Sequence, residues 1–236
     1  MIHPVLASRY GITGVLGSAR QREAVSGDWW LTGGIPAANC IAAYQPIGAA
    51  DYATSLVNLA NPGTYNATEG TTPGWDALYG WRFDGANDWL TTGVVFENDQ
   101  SWSIVIRFLS DNTKNRALSL ARTTSGSNEM GIVLGSYASE YAFAYNGNWT
   151  FVSNVDWGSN DSVFAIAGNA IYFNSVSKGT ISAGSGTNTL AIPLGCMDTG
   201  AARSFFYDGD MYAVSIYDAA ITQAQVTALT TAMAAL

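Results

Sequence analysis

Lysine, histidine and cysteine are almost missing from this 236-residue sequence, which has two lysines (Lys114, Lys178), one histidine (His3) and two cysteines (Cys40, Cys196). Each scarcity closes off a class of function. Two cysteines are too few for a disulfide framework, and with one histidine they are too few for a zinc site. A Ser-His-Asp or Cys-His catalytic arrangement would have to recruit His3, at the very start of the chain. Whether Cys40 and Cys196 pair is open on sequence grounds; two buried free thiols are the plainer expectation. Eighteen acidic residues against ten basic ones leave a net charge of −8, which argues against nucleic-acid partners, because that binding needs Lys and Arg to displace counterions. No apolar run approaches the ~18 residues that span a bilayer, and no membrane partner is expected. No basic-led apolar segment with a small-residue cleavage site opens the chain, so no export signal is expected. Phosphate-cradling loops are also missing, since Gly14-x-x-Gly17 and Gly184-x-Gly186 have neither the following Lys-Ser/Thr nor a strand-to-helix setting.

What is present points to β structure. The chain is 48% apolar but only 12% charged, with 25 glycines, 12 tyrosines and 8 tryptophans, a composition that suits short strands and tight turns in one domain. The clearest strand signal is Ser101–Leu109, with Trp102, Ile104, Ile106 and Phe108 on one face and Ser103, Val105 and Arg107 on the other. That alternation predicts one face in a core. Shorter runs at 117–121, 131–134, 141–145, 150–155, 163–167, 170–174, 189–194 and 204–207 are separated by Gly, Asn, Asp and Ser clusters, the mark of a sandwich or barrel. Met211–Tyr217 is the last predicted strand. The period then changes: Thr222 and Gln225 form a capping box, and Val226, Leu229 and Met233 fall at helical spacing, predicting a helix over 222–236 folded back on the sandwich.

The approach to the sandwich differs from its body. Residues 1–22 hold Arg9, Arg20 and Arg22 and no acid. With the adjacent Trp29 and Trp30, they suggest an extended arm over 1–39 whose arginines either dock on an acidic partner or belong to an ordinary solvated terminus. The paired tryptophans carry too much apolar surface to leave in water and should anchor on a partner or on their own domain. In the assembly reading the sandwich folds without residues 1–34. Cys40–Gln45 is expected as a short strand ended by Pro46, Asp51–Ala60 as a short helix begun by Asp51, and Thr64–Gly74 as a surface loop.

Gly80–Leu90, which reads Gly-Trp-Arg-Phe-Asp-Gly-Ala-Asn-Asp-Trp-Leu, resembles the opening strand and turn of concanavalin A-like, laminin-G-like lectin/glucanase sandwiches. Ser101–Phe108 is similar to the strand that follows there, and Tyr207–Thr222 to the closing strand and exit into a helix. The resemblance covers about residues 40–236 and implies an all-β, two-sheet antiparallel jelly-roll sandwich with a short C-terminal helix. Ile41–Gly74 also looks like the lead-in of such domains in bacteriophage and environmental viral proteins, which implies a virion location.

Chemistry is thinner. The glucanase branch uses Glu-x-Asp-x-x-Glu, and the nearest match, Glu97-Asn98-Asp99-Gln100-Ser101-Trp102, has Trp102 in place of the second glutamate, so a retaining glycosidase of that kind is not expected. Several laminin-G-like relatives bind calcium, and Asp84, Asn87 and Asp88, or Asp208 and Asp210, supply hard oxygen ligands. The plainer reading is that these residues make turns. Otherwise no cofactor is expected. For glycans, Tyr145, Asn148, Trp149, Asp156 and Trp157 combine ring faces with hydroxyl-reading groups, although the two tryptophans also suit strand ends in a core. Together the residues and the resemblance suggest a non-enzymatic phage virion surface protein, capsid-decorating or tail-associated. It would assemble with other virion proteins and its own copies through the arm (Arg9, Arg20, Arg22, Trp29, Trp30), and contact glycans. The alternatives are a free carbohydrate-binding lectin and a glycan-degrading enzyme.

Overall fold

In the computed structural model the strongest predicted strand runs over Ser103–Ser110, at the centre of a sandwich. The structure describes residues 27–97, 101–110, 116–122, 129–135, 141–146, 149–153, 161–182 and 187–236. In chain order it has β1 (Cys40–Tyr44), α1 (Tyr52–Ser55), β2 (Thr68–Thr71), β3 (Gly74–Asp76), β4 (Gly80–Asp84), β5 (Trp89–Glu97) and β6 (Ser103–Ser110). There follow β7 (Arg116–Arg122), β8 (Glu129–Leu134), β9 (Tyr141–Asn146), β10 (Trp149–Ser153), β11 (Ser162–Ala167), β12 (Ala170–Phe173) and β13 (Val176–Thr180). The chain closes with β14 (Thr187–Leu194), β15 (Met197–Asp198), β16 (Arg203–Ser204), β17 (Asp208–Tyr217) and α2 (Gln223–Ala234).

One layer is an eight-stranded sheet in the order β13-β12-β11-β6-β17-β4-β3, with β1 also on β17. Strand β17 is long enough to take two partners end to end: its first half pairs with β4, Asp208 opposite Asp84, and its second half with β1. The opening stretch of the sandwich and its closing strand are therefore direct neighbours. The other layer combines a six-stranded sheet, β10-β9-β8-β7-β15-β16, with a three-stranded one, β14-β5-β2; the two meet where the turn after β14 bonds to β7, Gly195 N–H donating to Leu118 (2.8 Å). Inward residues of both layers, among them Trp81, Trp102, Phe108, Phe164, Leu90 and Leu118, form the main core.

A second core covers the outer face of the eight-stranded sheet. Val226, Leu229 and Met233 of α2 are fully buried there with Val105, Val163 and Tyr217. The helix starts as its sequence predicts, Thr222 Oγ1 accepting from Gln225 N–H (3.3 Å) and Gln225 Oε1 from Thr222 N–H (2.8 Å). Consequently both faces of β6 are buried, not one. Arg107, 2% exposed, lies over the Tyr212 ring at 4.8 Å; its Nε donates to both carboxylate oxygens of Asp161 (2.9 Å each). Its Nη1 donates to the Met233 carbonyl at the end of α2, where a cation also suits the helix dipole.

Trp29 and Trp30 belong to this second core. They are 1% and 9% exposed, set edge to face at 5.7 Å, and Tyr217 Oη donates to the Trp30 carbonyl (2.9 Å). Of the two anchors weighed from sequence, the structure shows the chain's own sandwich: these rings fill its outer core, which bears directly on the expectation that the sandwich folds without residues 1–34.

Two further local expectations change. Only Tyr52–Ser55 of the expected helix forms, capped by Asp51 accepting from Thr54 N–H (2.7 Å). The next residues leave the helix because Asn58, fully buried, takes backbone partners on β1. The expected loop Thr64–Gly74 contains β2 and the start of β3, edge strands rich in Thr and Gly whose pairing with β5 and β4 supplies what their own side chains do not. Cys40 and Cys196 are buried free thiols, and burial pushes both up to about 12, where thiolate chemistry at neutral pH is suppressed.

Candidate functional site

α2 and the Trp29–Trp30 turn cover only part of the outer face of the eight-stranded sheet. Beside them, β3, β4 and the first half of β17 floor an open groove of about 550 Å³. Its walls carry Arg82, Asp84, Asp88, Ser110, Asp208 and Asp210, with Gly74 and Gly209 baring backbone between them. The strand period explains the arrangement: Trp81 and Phe83 point into the core, so Arg82 and Asp84 point out. The β4–β17 register then sets Arg82 opposite Asp210 and Asp84 opposite Asp208.

The first pair is complementary. Arg82 Nε donates to Asp210 Oδ1 (3.2 Å), and its guanidinium lies over Tyr79 at 5.1 Å from the ring centre. Burial raises the Asp210 carboxyl, and Arg82 offsets part of that rise. The second pair sets like charges opposite each other, an arrangement that costs stability. Arg116, reaching across from β7, moderates it: its Nη1 donates to the carbonyls of Gly85 (2.7 Å) and Phe206 (2.8 Å), and its Nη2 stands 3.9 Å from Asp208. Gly85 has φ 72, and a Cβ there would fall 2.8 Å from Asp208 Oδ2, so only glycine fits this turn beside Asp208.

Asp84, Asn87 and Asp88 form that turn. Asp84 Oδ1 accepts from the N–H groups of Ala86 (2.8 Å) and Asn87 (3.3 Å), bonds that hold its carboxyl below the usual carboxylate range. Asp88 Oδ2 accepts from Asp84 N–H (3.1 Å), while burial lifts its carboxyl above that range. One oxygen each of Asp84 and Asp88 is thus engaged with backbone, and among the described residues no three acidic, thiol or imidazole groups converge as metal ligands.

Of the other sequence candidates, Tyr145 and Trp149 stand opposite each other in the β9–β10 pair. Asn148, Asp156 and Trp157 lie outside the described residues, as do Arg9, Arg20 and Arg22; Tyr145 and Trp149 sit on β9 and β10, but their side chains are outside what is described. Sequence reasoning missed Tyr79, Arg82 and Arg116. Their only signal would have been the strand register, which one sequence does not reveal.

No protein-family model matches the chain, and no curated protein matches it in sequence. Among solved structures it is similar to Trypanosoma rangeli sialidase in complex with sialic acid, at 11% identity and a TM-score of 0.58, over 83% of this chain and 33% of that one. It is also similar to domain 4 of AbnA, a GH43 extracellular arabinanase from Geobacillus stearothermophilus in complex with arabinotriose, at 16% identity and a TM-score of 0.51, over 81% of this chain and 98% of that one. The chain thus spans about a third of the sialidase and nearly all of the arabinanase domain. At these identities the likeness establishes the fold alone: the chain is a β-sandwich.

Proposed function

We propose that the chain is a non-catalytic surface module of a virion, capsid-decorating or tail-associated, which assembles through its N-terminal arm and contacts glycans through the groove at Arg82 and Asp210. The groove carries the glycan reading. Carboxylates of Asp208 and Asp210 accept from sugar hydroxyls, Arg82 donates, and the 45% exposed Tyr79 ring offers a face to sugar C–H groups. Carboxylates outnumber guanidinium groups, and the charges of Arg82 and Arg116 are set against Asp210 and Asp208, so the expected ligand is neutral; acidic sugars are repelled. The virion reading is supported by the basic N-terminal segment on an acidic body and by the resemblance of its opening stretches.

Titration with arabinotriose and with sialyllactose tests the groove. Neutral oligosaccharide should bind and sialyllactose should not, and Arg82→Ala or Tyr79→Ala should weaken binding at least about tenfold; unchanged affinity in both variants would remove the groove from the reading. Genomic context separates the classes: neighbouring capsid and tail genes favour the virion, sugar-utilisation genes a free lectin.

One observation favours an enzyme as second reading. Asp84 is lowered and Asp88 raised within one turn, the divergence that acid–base pairs show. Against it, an oxygen of each is already held by backbone N–H groups. Release of sugar ends that disappears in Asp84→Asn or Asp88→Asn would favour the enzyme.

A further inference from the structure

The connection between α1 and β2 is built more tightly than a surface loop requires. Asn58 Oδ1 accepts from the N–H groups of Ala43 (3.0 Å) and Ala60 (3.1 Å), and its Nδ2 donates to the carbonyls of Ile41 (2.9 Å) and Thr64 (2.8 Å). Asn66 Oδ1 accepts from the N–H groups of Asn58 (3.0 Å) and Gly63 (3.2 Å). Held between these amides is Tyr65 at φ 55, in the left-handed region that bulky residues seldom enter. Its carbonyl accepts the hydroxyl of Tyr44, a core residue. Yet its ring is 45% exposed and lies along β5, where a Cβ on Gly93 would be 3.5 Å from its Cδ1.

The strained backbone serves the core through the Tyr65 carbonyl, but the ring takes no part in it and stands as a fixed aromatic on the outer face of the three-stranded sheet. Leu90, Thr92 and Val94 of β5 point into the core, so Thr91, Gly93 and Val95 face outward beside the ring, and Thr68 of β2 lies opposite Thr91. We propose that Tyr65, with Thr68, Thr91 and Gly93, forms a second saccharide-binding site, on the opposite side of the sandwich from the groove. A sugar ring lays its C–H face on Tyr65, glycine lets it approach the sheet, and the threonine hydroxyls exchange hydrogen bonds with its own. One ring and Val95 form too small an apolar core for a protein interface. The inference rests on the reading of the chain as a glycan-binding module and extends it: one chain is bivalent and bridges two glycans.

Calorimetric titration of the full chain with a panel of neutral oligosaccharides, beginning with arabinotriose, tests this by stoichiometry. Two equivalents should bind the wild type, one should bind Tyr65→Asn, one should bind Tyr79→Ala, and none the double variant. Asparagine tolerates the left-handed region, so Tyr65→Asn should melt no lower than the wild type; a lower melting temperature would make the ring structural and overturn the proposal. A single equivalent, lost in Tyr79→Ala and untouched by Tyr65→Asn, overturns the second site and leaves the groove standing. No binding of any saccharide overturns both.

Discussion

Asp210 joins the stability of the chain to its groove. Burial is the largest influence on its carboxyl and raises it, more than Arg82 lowers it. The native state therefore holds the proton more tightly than the unfolded chain, so this residue's contribution to stability is fully present below the ordinary aspartate range and is lost as pH rises through the raised value. Asp210→Asn should remove that loss: against the wild type it gains stability at neutral pH and the two converge in acid, as read from urea midpoints across pH. Asp84 runs the opposite way. Its lowered carboxyl favours the native state above the ordinary range, and that support is lost on acidification. Asp84 and Asp88 were legible as turn formers because Asp-Gly and Asn-Asp have local conformational preferences. Their titration was not, because it depends on backbone donors and burial that the sequence does not order.

Helix α2 decides what kind of strand β6 is. The 2-residue period of Ser103–Ser110 suggested a core face and an open face, yet Val105 is fully buried and Arg107 is 2% exposed. The helix lies across that second face and makes the sheet two-sided in the sense of a central layer. Leu229→Ala should cost about 2–4 kcal/mol by denaturant unfolding, the usual range for a buried leucine, and Thr222→Ala about 1 kcal/mol for the lost cap. The helix itself was legible to within a residue or two, since capping box and apolar spacing are local signals. The expected helix after Asp51 was cut to one turn because Asn58 bonds to β1, a tertiary contact that outweighs propensity.

At the scale of the whole molecule, the N-terminal turn is part of the sandwich. Trp29 and Trp30 close the outer core against α2 and β17, so a chain beginning at residue 27 and one beginning at residue 35 should differ in stability. Loss of the two buried rings should lower it by about 3 kcal/mol or more, a fall of roughly 10 °C in melting temperature by calorimetry. Equal melting of the two truncations would show that the turn merely rests on the sandwich.

The sequence by itself determined the β-sandwich, most strand positions, the closing helix and the turn at Asp84–Asp88, because alternation, turn dipeptides and capping boxes act within a few residues of one another. Its single histidine, two cysteines and acidic balance also set the expectations about catalysis and nucleic-acid partners. Only the tertiary structure decided which outward residues meet. Arg82 faces Asp210 across two strands 128 positions apart in sequence, Arg116 reaches Asp208 from the other layer, and Tyr65 stands over Gly93 because Asn58, bonded to β1, holds its loop. Register and layer packing make those encounters, and they follow from the burial of the whole core rather than from any local stretch.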